Sequence, residues 1–262
     1  MTEAFVLSSL AGSIATVTLN RPDVHNAFNE HVIADLHAAF VRLGGDENVR
    51  VVVMRAEGRS FSAGADLDWM RRAAAISEEE NLRDAAAAAA LWRAIAECPH
   101  PVVARVHGNA FGGGAGLVAA SDIAIAAETA MFGFTEVRLG LVPATIAPHV
   151  VHKIGAGRAL PLFLTGERFD AQKALAFGLV HQVVSDADLD TAVDEVVSAL
   201  LAGGGSAQTS CKELVRRVAN DNSLQADDYT AALIAAARAG DEAREGIAAF
   251  LEKRPPNWAK DA

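Results

Sequence analysis

Up to about Asp186 the chain alternates short, β-branched apolar runs with stretches of helical period, and beyond it no strand-like run occurs. Such a texture requires helices laid against a sheet, so α/β layering is expected first and a helical appendage after it. The expected division is a core over residues 1–195 and a helical region over 196–262, with Gly203-Gly204-Gly205 as a hinge or loop. The helical part is read as suited to subunit contacts.

Individual elements follow from local chemistry. Ser13 to Leu19 reads as a strand closed by Asn20-Arg21-Pro22, since proline cannot continue a ladder. Ile33, Leu36, Phe40 and Leu43 recur at helical spacing until Gly44-Gly45. Arg50 to Arg55 is a continuous apolar run flanked by arginines, as expected of a strand covered on both faces. Ser77 to Glu97 opens with Ser and three Glu, continues through strong helix formers and stops at Cys98-Pro99. Val102 to Val106 and Asp122 to Ala127 read as strands, with the glycine-rich turn His107 to Gly116 and helix Leu117 to Ala120 between them.

Charge and cysteine content exclude several functions. With 23 Lys and Arg against 33 Asp and Glu, the chain is repelled by nucleic acid and by anionic membranes. Cys98 and Cys211 stand far apart without metal-ligand spacing, so both are expected as ordinary buried thiols. No HExxH pair exists, and His149 with His152 lacks a third ligand, so no metal is expected. No apolar run reaches spanning length and the N-terminus has no secretory pattern, so a cytoplasmic protein is expected.

Two glycine stretches directly follow strand-like runs. They are Phe61-Ser62-Ala63-Gly64-Ala65-Asp66-Leu67 and Gly108-Asn109-Ala110-Phe111-Gly112-Gly113-Gly114-Ala115-Gly116. Small residues admit a ligand close to the main chain, and glycine permits turns that aim successive N–H groups at one point. The second stretch leads into a helix, whose unpaired first amides favour negative charge. Taken singly, either could instead serve only tight turning and packing. Neither is a nucleotide loop: GxxxxGK[ST] and GxSxG are absent, and Gly155-Ala156-Gly157 lacks the third glycine of a dinucleotide fingerprint.

These stretches, with Asn20-Arg21-Pro22, Asn26-Ala27 and Phe132-Gly133-Phe134-Thr135-Glu136-Val137-Arg138-Leu139-Gly140-Leu141-Val142-Pro143, resemble the enoyl-CoA hydratase/isomerase (crotonase) family in order and spacing. The resemblance implies a spiral of ββα units in two roughly perpendicular sheets, with a C-terminal helical region assembling homotrimers or hexamers. It implies an acyl-CoA thioester substrate and no cofactor, coenzyme A being part of the substrate. By the same resemblance the N–H groups of Ala65 and Gly113 hold the thioester oxygen, each such donor being worth about 10²–10³ in rate. Ala27, Ala63, Ala65, Asp66, Leu67, Gly113, Gly116 and Ala144 are expected to line the substrate site, with a backbone N–H at Ala144 orienting water.

One departure stands out. Two-glutamate hydratases carry carboxylates at the positions of Gly116 and Glu136, and here only Glu136 remains as acid/base. Further wording, such as the text from Thr135 to Val151 and the terminal Phe250-Leu251-Glu252-Lys253-Arg254, resembles 3-methylglutaconyl-CoA and γ-carboxygeranoyl-CoA hydratases, which also place glycine there. Hydration of a branched 2-enoyl-CoA is expected first, isomerisation of a 3-enoyl-CoA second, and an acyl-CoA-binding homologue without turnover third. A distal carboxylate would need a cation, for which Arg71, Arg72, Arg138 and Lys153 are candidates by type, each equally readable as an ordinary solvated charge.

Overall fold

The computed structural model describes residues 4–220 and 225–259. Strands β1 (Val6–Ala11) and β2 (Ile14–Leu19) form a hairpin followed by helix α1 (Glu30–Gly44). Then come β3 (Val51–Ala56), α2 (Leu67–Ala73), α3 (Glu78–Ala96), β4 (Val102–Val106), β5 (Asn109–Phe111) and α4 (Gly113–Ala120). Next are β6 (Ile123–Ala127), β7 (Met131–Gly133), α5 (Ala147–Ile154), α6 (Ala156–Thr165), β8 (Arg168–Asp170), α7 (Ala171–Phe177) and β9 (Gln182–Val184). Helices α8 (Leu189–Ala202), α9 (Gly205–Asn220), α10 (Gln225–Ala239) and α11 (Asp241–Leu251) complete the order.

The strands make two sheets, one ordered β1-β2-β3-β4-β6-β9 and the other β5-β7-β8. From β2 onward the larger sheet is parallel, and crossover helices cover it. Its central strands are apolar on both faces. Val52, Met54, Val102, Ala104, Ala124 and Ala126 face a core shared with α1, α3 and α4, whereas Val51, Val53, Val103, Ile125 and Ala127 face α8. The mostly apolar text of these strands, interrupted by Arg55 in β3 and Arg105 in β4, follows from that double cover.

Helix α8 requires a correction to the expected division. Its residues Leu189, Ala192, Val193, Val197 and Leu201 form one buried stripe on the sheet, so a boundary at 195/196 would cut through a core helix. The core runs through Ala202. The glycines that follow are packed rather than free: Arg50 donates to Gly203 O at 2.5 Å, and a Cβ on Gly204 would lie 2.5 Å from Glu242 Cδ. Glu242 in turn accepts from the first amides of α9, at Ser206 and Ala207. Cys98 is buried as expected, but Cys211 on α9 is exposed.

Candidate active site

Asn26 organises the entry to the first glycine loop. It is buried with a positive φ of 55°, accepts from Arg21 N–H at 2.8 Å and donates to the carbonyls of Glu57 and Ser60 at 2.7 and 2.8 Å. Asn26→Ala is therefore expected to lower stability by ~1–3 kcal/mol for each buried partner left unmatched. Urea unfolding would show this, and a change below about 0.5 kcal/mol would contradict that anchoring role.

The two glycine loops are joined edge to edge. Ser62 N–H donates to Asn109 O and Phe111 N–H to Ser62 O, both at 2.9 Å. Gly64, with φ 90°, could carry no side chain, because a Cβ would lie 2.9 Å from Phe111 O. On its other side the first loop bridges Phe28, which donates to Gly64 O and accepts from Asp66 N–H. Successive amides of an extended segment point in opposite directions, so the N–H of Ala65 turns away from Phe28. Ala63, Ala65 and Leu67 are exposed, alternating with better-covered neighbours, and Ala27 is buried beneath. The side chain of Asp66 is engaged in structure: it caps α2 at Asp68 and Trp69 and pairs with Arg21 at 3.1 Å. These hydrogen bonds hold its carboxyl below the usual range, overcoming the opposing effect of burial, the largest single influence.

Helix α4 begins where the second loop ends. Gly112 has φ 50° and ψ −119°, a glycine conformation, and its N–H donates to Gly133 O at 2.9 Å. Among the described residues, neither Ala65 N–H nor Gly113 N–H donates to another main-chain group outside regular secondary structure. Gly113 is the first residue of a helix buried from Gly114 to Ala120, so its amide carries a helix-terminal field shielded from water. A Cβ on Gly113 would meet the Phe28 ring at 3.0 Å and Trp92 at 3.5 Å, which fixes these two aromatics as the wall beside that amide.

Glu136 reaches the same point by sheet pairing. Strands β5 and β7 run parallel, so the segments leaving them, Gly112-Gly113 and Phe134-Thr135-Glu136, emerge together. A Cβ on Gly112 would lie 3.2 Å from Glu136 Oε1 and 3.7 Å from Gly64 Cα. The carboxyl thus sits against the joint of both loops. Its Oε2 is buried with no hydrogen-bond partner among the described residues, and burial pushes its pKa up.

Gly116 does not leave an empty place. A Cβ there would fall 2.4 Å from Ile146 Cγ2, so an apolar side chain occupies the space a second carboxylate would need. Ile146 is buried, and the preceding Thr145 accepts from Trp92 Nε1 at 3.3 Å. Ala144 N–H donates to Val142 O at 2.8 Å, which corrects the expectation of an amide free to orient water. Phe28, Trp92 and Ile146 were not singled out by the sequence. The only signal for Ile146 is the glycine at position 116.

The candidate cations are scattered. Arg71 pairs with Asp68 and Arg72 with Glu30 on the surface, Arg138 is exposed, and Lys153 lies against Ser121 and Asp122. Among the described residues no His/Cys/Asp/Glu group could hold a metal, and no helix is long and apolar enough to cross a membrane.

The family profile described as enoyl-CoA hydratase/isomerase matches residues 9–261. The crystal structure of an enoyl-CoA hydratase from Shewanella pealeana is 39% identical and superposes with a TM-score of 0.94, covering 97% of this chain and 96% of that one. AtuE of Pseudomonas aeruginosa is 36% identical with a TM-score of 0.94, covering 98% and 99%. A trans-2-decenoyl-[acyl-carrier-protein] isomerase of Streptococcus mutans is 30% identical, covering 97% of each chain. The two-sheet α/β architecture is that of these structural neighbours, and the chain belongs to the enoyl-CoA hydratase/isomerase family.

Proposed function

We propose that the chain hydrates a 2-enoyl-CoA, using the Ala65 and Gly113 amides as the oxyanion hole and Glu136 as its single acid/base. The observation that carries this reading is the Glu136 carboxyl, its buried Oε2 without a hydrogen-bond partner among the described residues, set against Gly112 where the two glycine loops join. Glu136 takes a proton from water as its oxygen bonds to C3, and negative charge develops on the thioester oxygen between the two amides. The protonated glutamate then returns that proton to C2, giving the 3-hydroxyacyl thioester.

Ile146 over Gly116 favours a second reading. With one carboxylate and an apolar wall, the same group can remove a proton from C2 of a 3-enoyl-CoA and return it at C4. The preferred acyl group is branched, in keeping with the likeness to 3-methylglutaconyl-CoA hydratases, and Arg138, exposed two residues after Glu136, is the candidate for a distal carboxylate. Exposed Ile247, Phe250 and Leu251 on α11 support trimeric or hexameric assembly through the C-terminal helices.

Absorbance of the conjugated thioester tests these readings with crotonyl-CoA, 3-methylglutaconyl-CoA and a 3-enoyl-CoA. Loss of signal from a 2-enoyl substrate supports hydration, and appearance of signal from the 3-enoyl substrate supports isomerisation. Absence of both, despite coenzyme A thioester binding, would refute an enzyme of either kind.

Glu136 also sets a pH dependence. Its carboxylate form is needed first, and its pKa lies above the ordinary 4.5, so the acid limb of the rate profile is expected above that value. Stability has the matching sign: Glu136 favours the fold below 4.5, and this contribution is lost as pH rises through its raised pKa. A rate profile with its acid limb at or below 4.5 would contradict the assignment.

A further inference from the structure

A cavity of about 830 Å³ opens between the C-terminal ends of α3 and α4, helix α5 and part of α9. It is a separate chamber. Its wall begins one residue beyond Trp92 at Arg93, three beyond Gly116 at Ala119 and two beyond Ile146 at Pro148, and neither Glu136 nor Gly113 lines it.

The lining is basic in an acidic protein. Arg93, Lys153 and Lys212 stand with two carboxylates, Glu97 and Asp122, among the described lining residues, while the whole chain carries −10. Asp122 is already matched, its Oδ2 accepting from Lys212 Nζ at 2.5 Å and from Val102 N–H at 2.7 Å. Glu97 lies one helical turn after Arg93 on α3.

Lys153 has no such partner. Its ammonium donates to the main-chain carbonyls of Ser121 and Asp122 and makes no salt bridge among the described residues. Neutral carbonyls satisfy its protons without balancing its charge. Burial brings its pKa down to about 8, with Lys212 adding to the fall and Asp122 opposing it. His181 faces the same space, and its Nδ1 accepts from Ala124 N–H at 3.0 Å, so in the neutral ring the proton sits on Nε2. His149 and His152 from α5 add two further imidazoles. Two ammonium groups, Lys153 and Lys212, thus share the single carboxylate of Asp122, and this excess of positive charge beside an imidazole N–H in an open chamber is the arrangement an anion stabilises.

We infer that this cavity binds a small multivalent oxyanion, phosphate or a di- or tricarboxylate, at a site distinct from the thioester site, anchored by Lys153 and His181. The test is the thermal midpoint of the intact protein at neutral pH, with inorganic phosphate or citrate at constant ionic strength set by chloride. A rise of about 5 °C is expected at roughly a hundredfold excess over the dissociation constant. Phosphate alone raising the midpoint identifies a phosphate site, and citrate alone a carboxylate site. Lys153→Met and His181→Asn should each lose the shift, whereas Glu136→Gln should keep it even when turnover is gone. His181→Asn retains an acceptor for Ala124 N–H, so it carries the comparison if Lys153→Met does not fold. No shift with either anion, or equal shifts in wild type and both variants, would overturn the inference.

Discussion

Glu136→Gln is expected to lower turnover of an enoyl-CoA substrate by about 10²–10⁴ while leaving KM and the unfolding midpoint close to those of the wild type. The side chain is isosteric, and the buried Oε2 it replaces makes no hydrogen bond among the described residues, so the fold loses no partner. What disappears is proton transfer beside Gly112, where that loop meets Gly64. Steady-state absorbance gives kcat and KM separately. A variant with undiminished kcat would mean that another group moves the proton, and no second carboxylate stands ready at position 116.

The second large effect concerns that position. Gly116→Glu is expected to destabilise the protein rather than restore a two-carboxylate site, because its Cβ would lie 2.4 Å from Ile146 Cγ2 and 3.1 Å from Ile146 Cβ. Overpacking of this kind costs about 1–3 kcal/mol, and burying a charge among apolar groups adds to it. Ile146→Gly alone should also destabilise, by roughly 2–5 kcal/mol for the cavity it leaves. Ile146 is the N-cap of α5, where glycine is tolerated, so the helix itself should survive. The two changes relieve one another. Denaturant unfolding of the four proteins should therefore give a double variant more stable than the sum of the single losses, and strict additivity would show that Ile146 does not fill the glutamate's place.

Much of the fold was legible where burial leaves a pattern. Strands β3, β4 and β6 show as largely apolar runs, broken only by Arg55 and Arg105, because both their faces are covered. Helix α3 showed at both ends, the capping box of Ser77 and Glu80 forming as its text implied. Strand β1 was not seen because five of its six residues are exposed, which leaves no apolar alternation to read. Strands β5, β7 and β8 have three residues each, too few for any period. Helix α8 carries an apolar stripe, but a stripe does not say which surface covers it, so the expected boundary at 195/196 falls inside a helix that packs on the sheet along its length.

The candidate site divides the same way. Glycine at positions 64, 112 and 113 is visible in a sequence because a missing side chain is itself the device, and the structure shows what each missing Cβ would strike. The contact of Ile146 with Gly116 joins residues thirty positions apart and arises only once α4 and α5 are packed. That contact, more than the bare absence of a glutamate, leaves the proposed site with one carboxylate.

The central claim is that a single glutamate adds water to a conjugated thioester. The most direct measurement is mass spectrometry of the thioester after incubation of a 2-enoyl-CoA with the protein in oxygen-18 water. The account predicts one heavy oxygen in the product, retained at C3, with the label lost in Glu136→Gln. A thioester that moves its double bond and acquires no heavy oxygen would contradict hydration and leave proton transfer between carbons as the reaction.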